Sequence, residues 1–510
     1  MKRLFTRLGA FALCLCLASG ACAQGLDEAL SGYLDAGEDV RYAMSAQLES
    51  LTPYGEGTID MFNGVLRHMN VAAAVTPEKT ALEFCVGGDA VVSLTEKTTG
   101  EGTELTTPLL PNRTLQSAGS VLDAIGGVEE GEAKFDLLSA ISGWEGCYQE
   151  LTDAIIPFAE EKKANYNIEK IGSSRWSRIA RLTPEQGQQV APLIEKVLAC
   201  GMDEAFAGTL EGLSTGKGFI VGLYQTKEGG EDLALYMKGY LTFADGLTRS
   251  LAFQWAFAEK EGVRTDTVKY ELLQSKKAVD TRTIRATLKR QADDVLLLKG
   301  DCSAAIKDGD GNVTTTHTYD LSGKASGGER PVKGSVTTAV KTREGETTTT
   351  ETTVITPDVR LVSADGSSVL SGSVKLEVKT GKTVHTALTL LFDEEPAQLL
   401  EDGRFFEVED RAVMPQSSLT QNMETDKPGD YLVGKPPIGL QAYEVPNSMQ
   451  YVDADDPAQL EAAMGEAAQQ LAGRLLIALT KIPQEDAALI RDNLSEEDYQ
   501  EFLQRVEEAR

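Results

Sequence analysis

The chain has 510 residues, of which 78 are acidic and 49 are basic. A strongly acidic chain repels the phosphate backbone of DNA and RNA, so no nucleic acid is expected as a partner. Hydrophobic residues make up 41% of the sequence, which is typical of a globular protein. A chain of this length can bury a substantial core, either in several folding units or in one extended unit.

Residues 1–23 have the pattern of a secretory signal peptide. A basic start and an apolar run over residues 8–18 precede the small residues around Cys22, and this pattern predicts cleavage before Gln24. The alternative is lipoprotein processing with lipidation of Cys22, although Ser19 stands where a leucine is usual. No later apolar run is long enough for a spanning helix. We therefore expect an exported, extracytoplasmic protein with no transmembrane segment in the mature chain, either soluble or lipid-anchored at its N-terminal end.

Four cysteines follow the leader. They are Cys85, Cys147, Cys200 and Cys302. None belongs to a C-x-x-C pair, which argues against a zinc ribbon or thioredoxin-like chemistry. Export permits disulfides, and the helical patterns around Cys147 and Cys200 lead us to predict a bridge between these two residues. The alternative is that all four are small buried side chains.

Residues 24–213 mix helical and strand patterns and are expected to form an α+β layer. The periodicity predicts strands and helices in alternation, with strands at 40–51, 71–75, 80–86 and 90–95 and helices at 58–68, 114–125 and 135–161. A hairpin is predicted over residues 165–182. The best-marked helix follows it, because Thr183 and Gln186 form a capping box and a proline takes the first helical position.

Residues 214–395 are predicted to form an antiparallel meander of long strands. In one run the apolar residues Val374, Leu376 and Val378 alternate with charged residues, and turns that carry glycine or aspartate separate such runs. Each strand should therefore have one dry and one wet face. A threonine-rich section at 347–353 is expected to be an edge or surface strand. The predicted fold class is α+β, with a large antiparallel β-sheet, twisted or cupped, helices covering one face and a helical C-terminal tail.

The last part of the chain divides into a loop and a tail. Residues 396–456 lose periodicity and gain prolines, which indicates a long loop or linker. Residues 457–510 are predicted to be an acidic helical tail. Its first helix carries apolar residues at helical spacing, and these are Leu460, Met464, Ala467, Leu471, Leu475, Ala478 and Ile482. Such a stripe packs into a core or a partner groove more often than onto a membrane.

No motif predicts a catalytic residue, a cofactor or a metal ligand. Gly212–Gly216 matches the G-x-S-x-G nucleophile elbow, but a predicted strand follows it where the elbow needs a helix. Lys379–Gly381 matches K-T-G, but it lies in a predicted hairpin turn. Asp308–Asn312 resembles the start of a calcium loop, yet the glycine and glutamate that complete the loop are replaced.

The aromatic stripe of Phe253, Trp255 and Phe257 is the one feature that points toward a ligand. If the helices cover the sheet incompletely, the remaining hollow would suit an apolar ligand, and the alternative is ordinary sheet core. The first functional hypothesis is an exported, non-enzymatic bacterial cell-envelope protein, structural or ligand-binding, whose partner is an apolar ligand or an envelope protein. The second is a secreted hydrolase of cell-wall or extracellular polymer. The third is an interaction module that docks a partner through the acidic helical tail.

Overall fold

The computed structural model describes residue 33, residues 39–399, 406–408 and 450–479, and residue 500, with gaps between 39 and 399. These gaps are 53, 77–78, 87–88, 101, 111–112, 122–134, 162–177, 203, 226–232, 275–279, 292–293, 309–310, 345–346, 365–366 and 393–396. The predicted signal peptide with Cys22, most of the predicted linker and the end of the predicted tail lie outside the described residues.

One large, mostly antiparallel, open sheet dominates the fold, as the alternating pattern predicted. Its first strands are β1 (Asp39–Leu51), β2 (Met69–Val75), β3 (Lys79–Val86), β4 (Asp89–Thr99), β5 (Gly102–Thr106), β6 (Arg113–Ser117), β7 (Ala159–Glu161), β8 (Arg178–Leu182) and β9 (Ser214–Thr215). The meander strands are β10 (Phe219–Gln225), β11 (Leu233–Thr242), β12 (Thr248–Lys260), β13 (Val263–Gln274), β14 (Asp280–Gln291), β15 (Val295–Asp308), β16 (Gly311–Lys324), β17 (Glu329–Glu344), β18 (Thr347–Ala364), β19 (Ser367–Thr380) and β20 (Thr383–Phe392). A separate pair, β21 (Ala397–Leu399) and β22 (Phe406–Val408), follows, and β23 (Gln450–Asp453) returns to the large sheet.

Helices cover one face of this sheet. They are α1 (Glu56–Leu66), α2 (Leu137–Ile155), α3 (Pro184–Ala199), α4 (Glu204–Leu210) and α5 (Pro457–Leu479). Asp136 caps α2, because its side chain accepts hydrogen bonds from the backbone N–H groups of the first turn. The predicted capping box of Thr183 and Gln186 begins α3 and is confirmed.

The order of strands explains how two sequence segments share one sheet. Strands β10 to β20 follow one another as antiparallel hairpins, and β20 then pairs with β1. Strands β1 to β6 and then β23 continue the sheet on that side, while β8 and β7 extend it beyond β10. The predicted mixed layer therefore supplies both ends of the sheet and the meander supplies its middle.

Two hydrophobic cores lie on the same face of the sheet. Helices α2, α3 and α4 bury the first core against strands β8 to β17, and α1 and α5 bury the second against β1 to β6 and β20. A row of directly opposed residues joins them, running Tyr319, Val336, Ile355, Leu376, Leu388 and Leu48. Directly opposed residues project from the same face, so both helical layers cover one side.

Two local predictions differ from the structure, and part of a third lies outside the described residues. The predicted helix 114–125 is wrong at its start, because Arg113–Ser117 is strand β6, held between β5 and β23. The predicted helix 135–161 ends at Ile155, and Ala159–Glu161 is strand β7, paired with β8. The first strand predicted for the hairpin at 165–182 lies outside the described residues.

The threonine-rich section is a surface strand, which is one of the two predicted alternatives. It belongs to β18, which pairs with β17 and, from Glu351 onward, also with β19, so the strand as a whole is not at an edge. At about 3.4 Å per residue a strand of this length spans roughly 60 Å. Threonine tolerates this position because its hydroxyl remains wet while its branched Cβ suits a pleated strand.

Candidate functional site

The predicted aromatic stripe lies inside the first core. Phe253 and Trp255 are fully buried and Phe257 is 4% exposed. The indole of Trp144, on α2, meets Phe253 edge to face with 5.2 Å between ring centroids and lies 6.1 Å from the Trp255 ring. Helix α2 thus occupies the space beside these rings, which favours the core interpretation, and ligand binding at the stripe stays a prediction.

A buried charge cluster closes one end of the stripe. The carboxylate of Asp266 accepts a hydrogen bond from Nε1 of Trp255 at 3.2 Å and pairs with Arg264 at 3.0 Å and Arg290 at 3.2 Å. The guanidinium of Arg264 also lies 3.8 Å from the centre of the Phe257 ring. A buried carboxylate with these partners satisfies its hydrogen-bonding capacity and seals the rings from water.

Among the described residues, no helix covers the sheet between its two helical covers. On strands β17 to β19 five apolar side chains on the helix-bearing face belong to neither core and are partly exposed. They are Val340, Ile355, Val374, Leu376 and Val378. We call this strip of the sheet the trough.

The trough has boundaries on both sides. The first core extends as far as Val336 on β17, and the second core begins with Leu388 on β20. From Val336 on β17 to Leu388 on β20 there are three inter-strand steps, and at about 4.8 Å each they give a width of about 14 Å. This width is sufficient for an elongated apolar ligand to lie between the two helical covers.

Two aromatic groups mark the same end of the trough. The hydroxyl of Tyr33 donates to the carbonyl oxygen of Pro331 at 3.0 Å, and Arg330 donates to the backbone oxygen of Tyr33 at 2.6 Å. On the other side Phe392 meets Tyr42 edge to face at 5.6 Å. These contacts fix aromatic side chains where β17 and β20 border the strip.

The opposite face of the same strands is charged. Lys375 pairs with Glu49 at 2.6 Å, Lys379 pairs with Glu377 at 2.9 Å, and Lys333 pairs with Asp358 at 2.9 Å. Hydrogen bonds from Lys375 and Thr389 lower the pKa of Glu49. Strands β17 to β19 therefore have one apolar and one charged face, as the sequence alternation predicted, even though the apolar face is only partly buried.

A second concave region lies at the far edge of the sheet. This polar cleft has a volume of about 580 Å³ and is formed by the β4–β5 hairpin, β6, β23 and the start of α5. Its lining includes Glu104, Tyr451, Asp453 and Asp455, and the Tyr451 ring is 63% exposed.

The carboxylates of the polar cleft hold its walls together. Asp455 accepts hydrogen bonds from the backbone N–H of Ala118 at 2.8 Å and the hydroxyl of Ser117 at 2.6 Å, and these bonds lower its pKa. Glu104 accepts a hydrogen bond from Gln116 at 2.8 Å. A general acid needs a raised pKa, so the environment of Asp455 does not favour that role.

The two cysteines predicted to form a disulfide lie together in the structure. Cys147 and Cys200 meet at the α2–α3 interface, where both are free thiols and are hydrogen-bonded to each other. Among the described residues, no three His, Cys, Asp or Glu side chains form a group that could hold a metal ion. Nor does any helix in the described part of the chain combine the length and apolar character needed to span a membrane.

Comparisons with protein families, curated proteins and solved structures found no match. The trough and the polar cleft are therefore the two features from which we infer a function.

Proposed function

We propose that this chain is an exported, non-enzymatic bacterial cell-envelope protein that binds an elongated apolar ligand along the trough. The observation that carries the proposal is the strip of partly exposed valine, isoleucine and leucine between two helix-covered cores on one face of the sheet. Contiguous exposed apolar surface of this kind marks binding sites more often than it serves stability.

Folding leaves several apolar side chains of the trough incompletely covered. Ile355 and Leu376 are directly opposed and both are partly exposed. Covering apolar surface is worth roughly 25 cal/mol per Å², and full burial of one such side chain is worth about 1.5–3 kcal/mol. Burial of several of these side chains by a ligand therefore contributes part of that free energy to binding. The contribution is larger when the surface is already formed before the ligand binds.

Binding is favoured over hydrolysis by the state of the described carboxyl groups. Hydrolysis of a glycosidic polymer needs paired carboxyl groups in a cleft, one of them with a raised pKa. In the polar cleft the pKa of Asp455 is lowered. Glu83 has a strongly raised pKa, but it is completely buried and is not part of the cleft lining.

The tail is a weaker candidate for docking a partner than the trough. The side chains of Ala467, Leu471 and Leu475 on α5 are buried in the second core. The apolar stripe predicted for residues 457–479 is therefore occupied by this chain's own sheet. A docking role for the tail stays a prediction for residues 480–510.

The proposed export has a direct test at the N-terminal end. In the source bacterium we expect the protein in the extracytoplasmic fraction, with a mature chain that begins at Gln24. Intact-mass measurement separates this form from a chain that begins at a lipid-modified Cys22. A full-length chain in the cytoplasm would contradict export and leave the trough available for a separate test.

The binding test uses native mass spectrometry of protein purified from its host, followed by titration with a long-chain fluorescent fatty acid. We expect a co-purifying apolar molecule and saturable binding of the probe. Ile355→Lys places an ammonium group in the trough, and removing such a group from water beneath an apolar ligand is costly. The substitution should weaken binding by roughly tenfold or more, because about 1.4 kcal/mol is a factor of ten.

The matched control is Thr356→Lys, which adds the same charge at the neighbouring position on the opposite, exposed face. It should bind the probe as the unmodified chain does. Equal weakening by both substitutions, or binding that survives Ile355→Lys in a protein with an unchanged melting temperature, would refute the trough as the site.

A further inference from the structure

The interface between α2 and α3 holds two cysteines in contact. Cys147 is buried on α2, and Cys200 is the partly exposed residue that ends α3. Their thiols are hydrogen-bonded to each other. The Sγ of Cys200 also lies 3.1 Å from the carbonyl oxygen of Lys196, so its proton has two acceptors within reach.

Gly143 provides the space for this contact. It lies one helical turn before Cys147 on α2, and a Cβ atom at this position would stand 2.6 Å from the Sγ of Cys200. No real Cβ approaches a sulfur so closely, so any other residue would displace the thiol. Cys200 therefore rests on bare helix backbone beside Cys147.

Two further contacts hold the helices in register. Nε1 of Trp144 donates to the carbonyl oxygen of Val197 at 2.9 Å, and Lys196 pairs with Glu150 at 3.0 Å. These contacts flank the cysteines on both helices, so the two sulfurs are held together by packing that does not depend on them. A cross-link formed here needs little movement of the backbone.

We propose that Cys147 and Cys200 form a reversible disulfide that locks α2 to α3, with Cys200 as the sulfur that meets the oxidant. Cys200 is the partly exposed member of the pair, whereas Cys147 is 2% exposed. The oxidant is a small or protein disulfide of the kind found outside the cytoplasm.

The exchange proceeds in two balanced steps. Cys200 loses its proton to solvent and attacks the donor disulfide, which forms a mixed disulfide and releases one donor thiolate. Cys147 then loses its proton to solvent and attacks the Cys200 sulfur, which completes the protein disulfide and releases the second donor thiolate. Two protein thiols are oxidised and one donor disulfide is reduced to two thiols.

The electrostatics support Cys147 as the second nucleophile, because a lowered pKa favours its thiolate. The hydrogen bond from Cys200, together with the positive charge of Lys196, lowers the pKa of Cys147 to about 7. The same pairing, with burial, raises the pKa of Cys200. Burial raises the pKa of Cys302 to about 12, which keeps that thiol protonated and unreactive.

The test uses the full chain, first reduced and then incubated with oxidised glutathione. After denaturation and alkylation, we expect two fewer alkylated cysteines than in the reduced protein, and a proteolytic peptide pair joined through Cys147 and Cys200. The oxidised protein should melt several degrees higher than the reduced one, and reduction should reverse the shift. Cys200→Ser should abolish the cross-link, whereas Cys302→Ser should keep it.

Other outcomes would overturn the proposal. Full alkylation after oxidation, a bridge that includes Cys302, or a stable glutathione adduct on Cys200 with Cys147 still alkylated would each do so. Cys147→Ser offers an independent reading if Cys200→Ser does not fold, because Cys200 should then accumulate as the mixed disulfide. None of these measurements involves the trough, so this proposal and the proposed function fail separately.

Discussion

Glu83, on strand β3, gives a sharp test of how burial links stability to pH. Its side chain is fully buried, and the hydroxyl of Ser93 lies on the directly opposed residue of β4. Among the described residues, Glu83 Oε2 and Ser93 Oγ have no hydrogen-bond partner, and the Cys85 thiol lies 3.7 Å from the other Glu83 oxygen. Burial raises the pKa of Glu83 well above its usual range, and the bond from Cys85 opposes this only in part.

The raised pKa links stability to pH with a definite sign. The folded protein keeps a proton on Glu83 that the unfolded chain releases above its own pKa of about 4.3. The stabilisation is complete below that unfolded value and is lost as the pH rises through the folded value. Between the two values Glu83 removes about 1.4 kcal/mol of unfolding free energy for each pH unit.

Glu83→Gln replaces the protonated acid by a neutral amide of similar shape and should abolish this contribution. Urea unfolding between pH 5 and pH 8 should show a flatter pH dependence for the variant, which should be the more stable protein at the upper end. Glu461→Gln, at an exposed position of α5, removes a carboxylate without changing the slope. Identical slopes for Glu83→Gln and the unmodified protein, or lower stability of the variant at every pH, would refute the reasoning.

The other predictions concern packing and are checked by chemical or thermal unfolding. Asp266→Ala should destabilise the protein by about 3–5 kcal/mol, because it removes the buried carboxylate that pairs with Arg264 and Arg290 and leaves these arginines only the half-exposed Glu145 as a partner. Asp266→Asn should lose less. Leu475→Ala should cost about 2–5 kcal/mol if α5 is part of the core, whereas an unchanged melting temperature would favour a free docking tail. Gly465→Ala on the exposed side of the same helix should stabilise it by about 0.5–1 kcal/mol, because the added methyl meets nothing within 4 Å.

The meander and the α3 helix could be predicted because their signals are local. Period-two alternation specifies which side chains share a face, and the pairing of Val374 with Leu390 and of Leu376 with Leu388 follows it. A capping box and an N-terminal proline specify a helix start within one turn. The strand at Arg113–Ser117 could not be found in this way, because its partners lie in β5 and in β23, and β23 is more than 300 residues later in the chain.

The candidate site could be predicted only in outline because coverage of a face is a long-range property. The sequence separated apolar from polar faces but did not show which strands the helices would cover. The helices pack on the large aromatic side chains of Phe253, Trp255 and Phe257. Glu83 shows the converse error, since alternation with Leu82 and Phe84 predicts a wet face for a side chain that is fully buried.

The chemistry of the trough supports the proposed binding surface over incomplete packing. On the same face of β17 and β18, Thr338 opposes Thr353 and Thr342 opposes Thr349. A bare sheet that only had to remain soluble could have continued with threonine across its whole length. Instead Ile355 and Leu376 complete an apolar row from Val336 in the first core to Leu388 in the second, where exposure is unfavourable unless something covers it. The strands carry hydrophobic side chains where a ligand would complete the layer that the helices leave open.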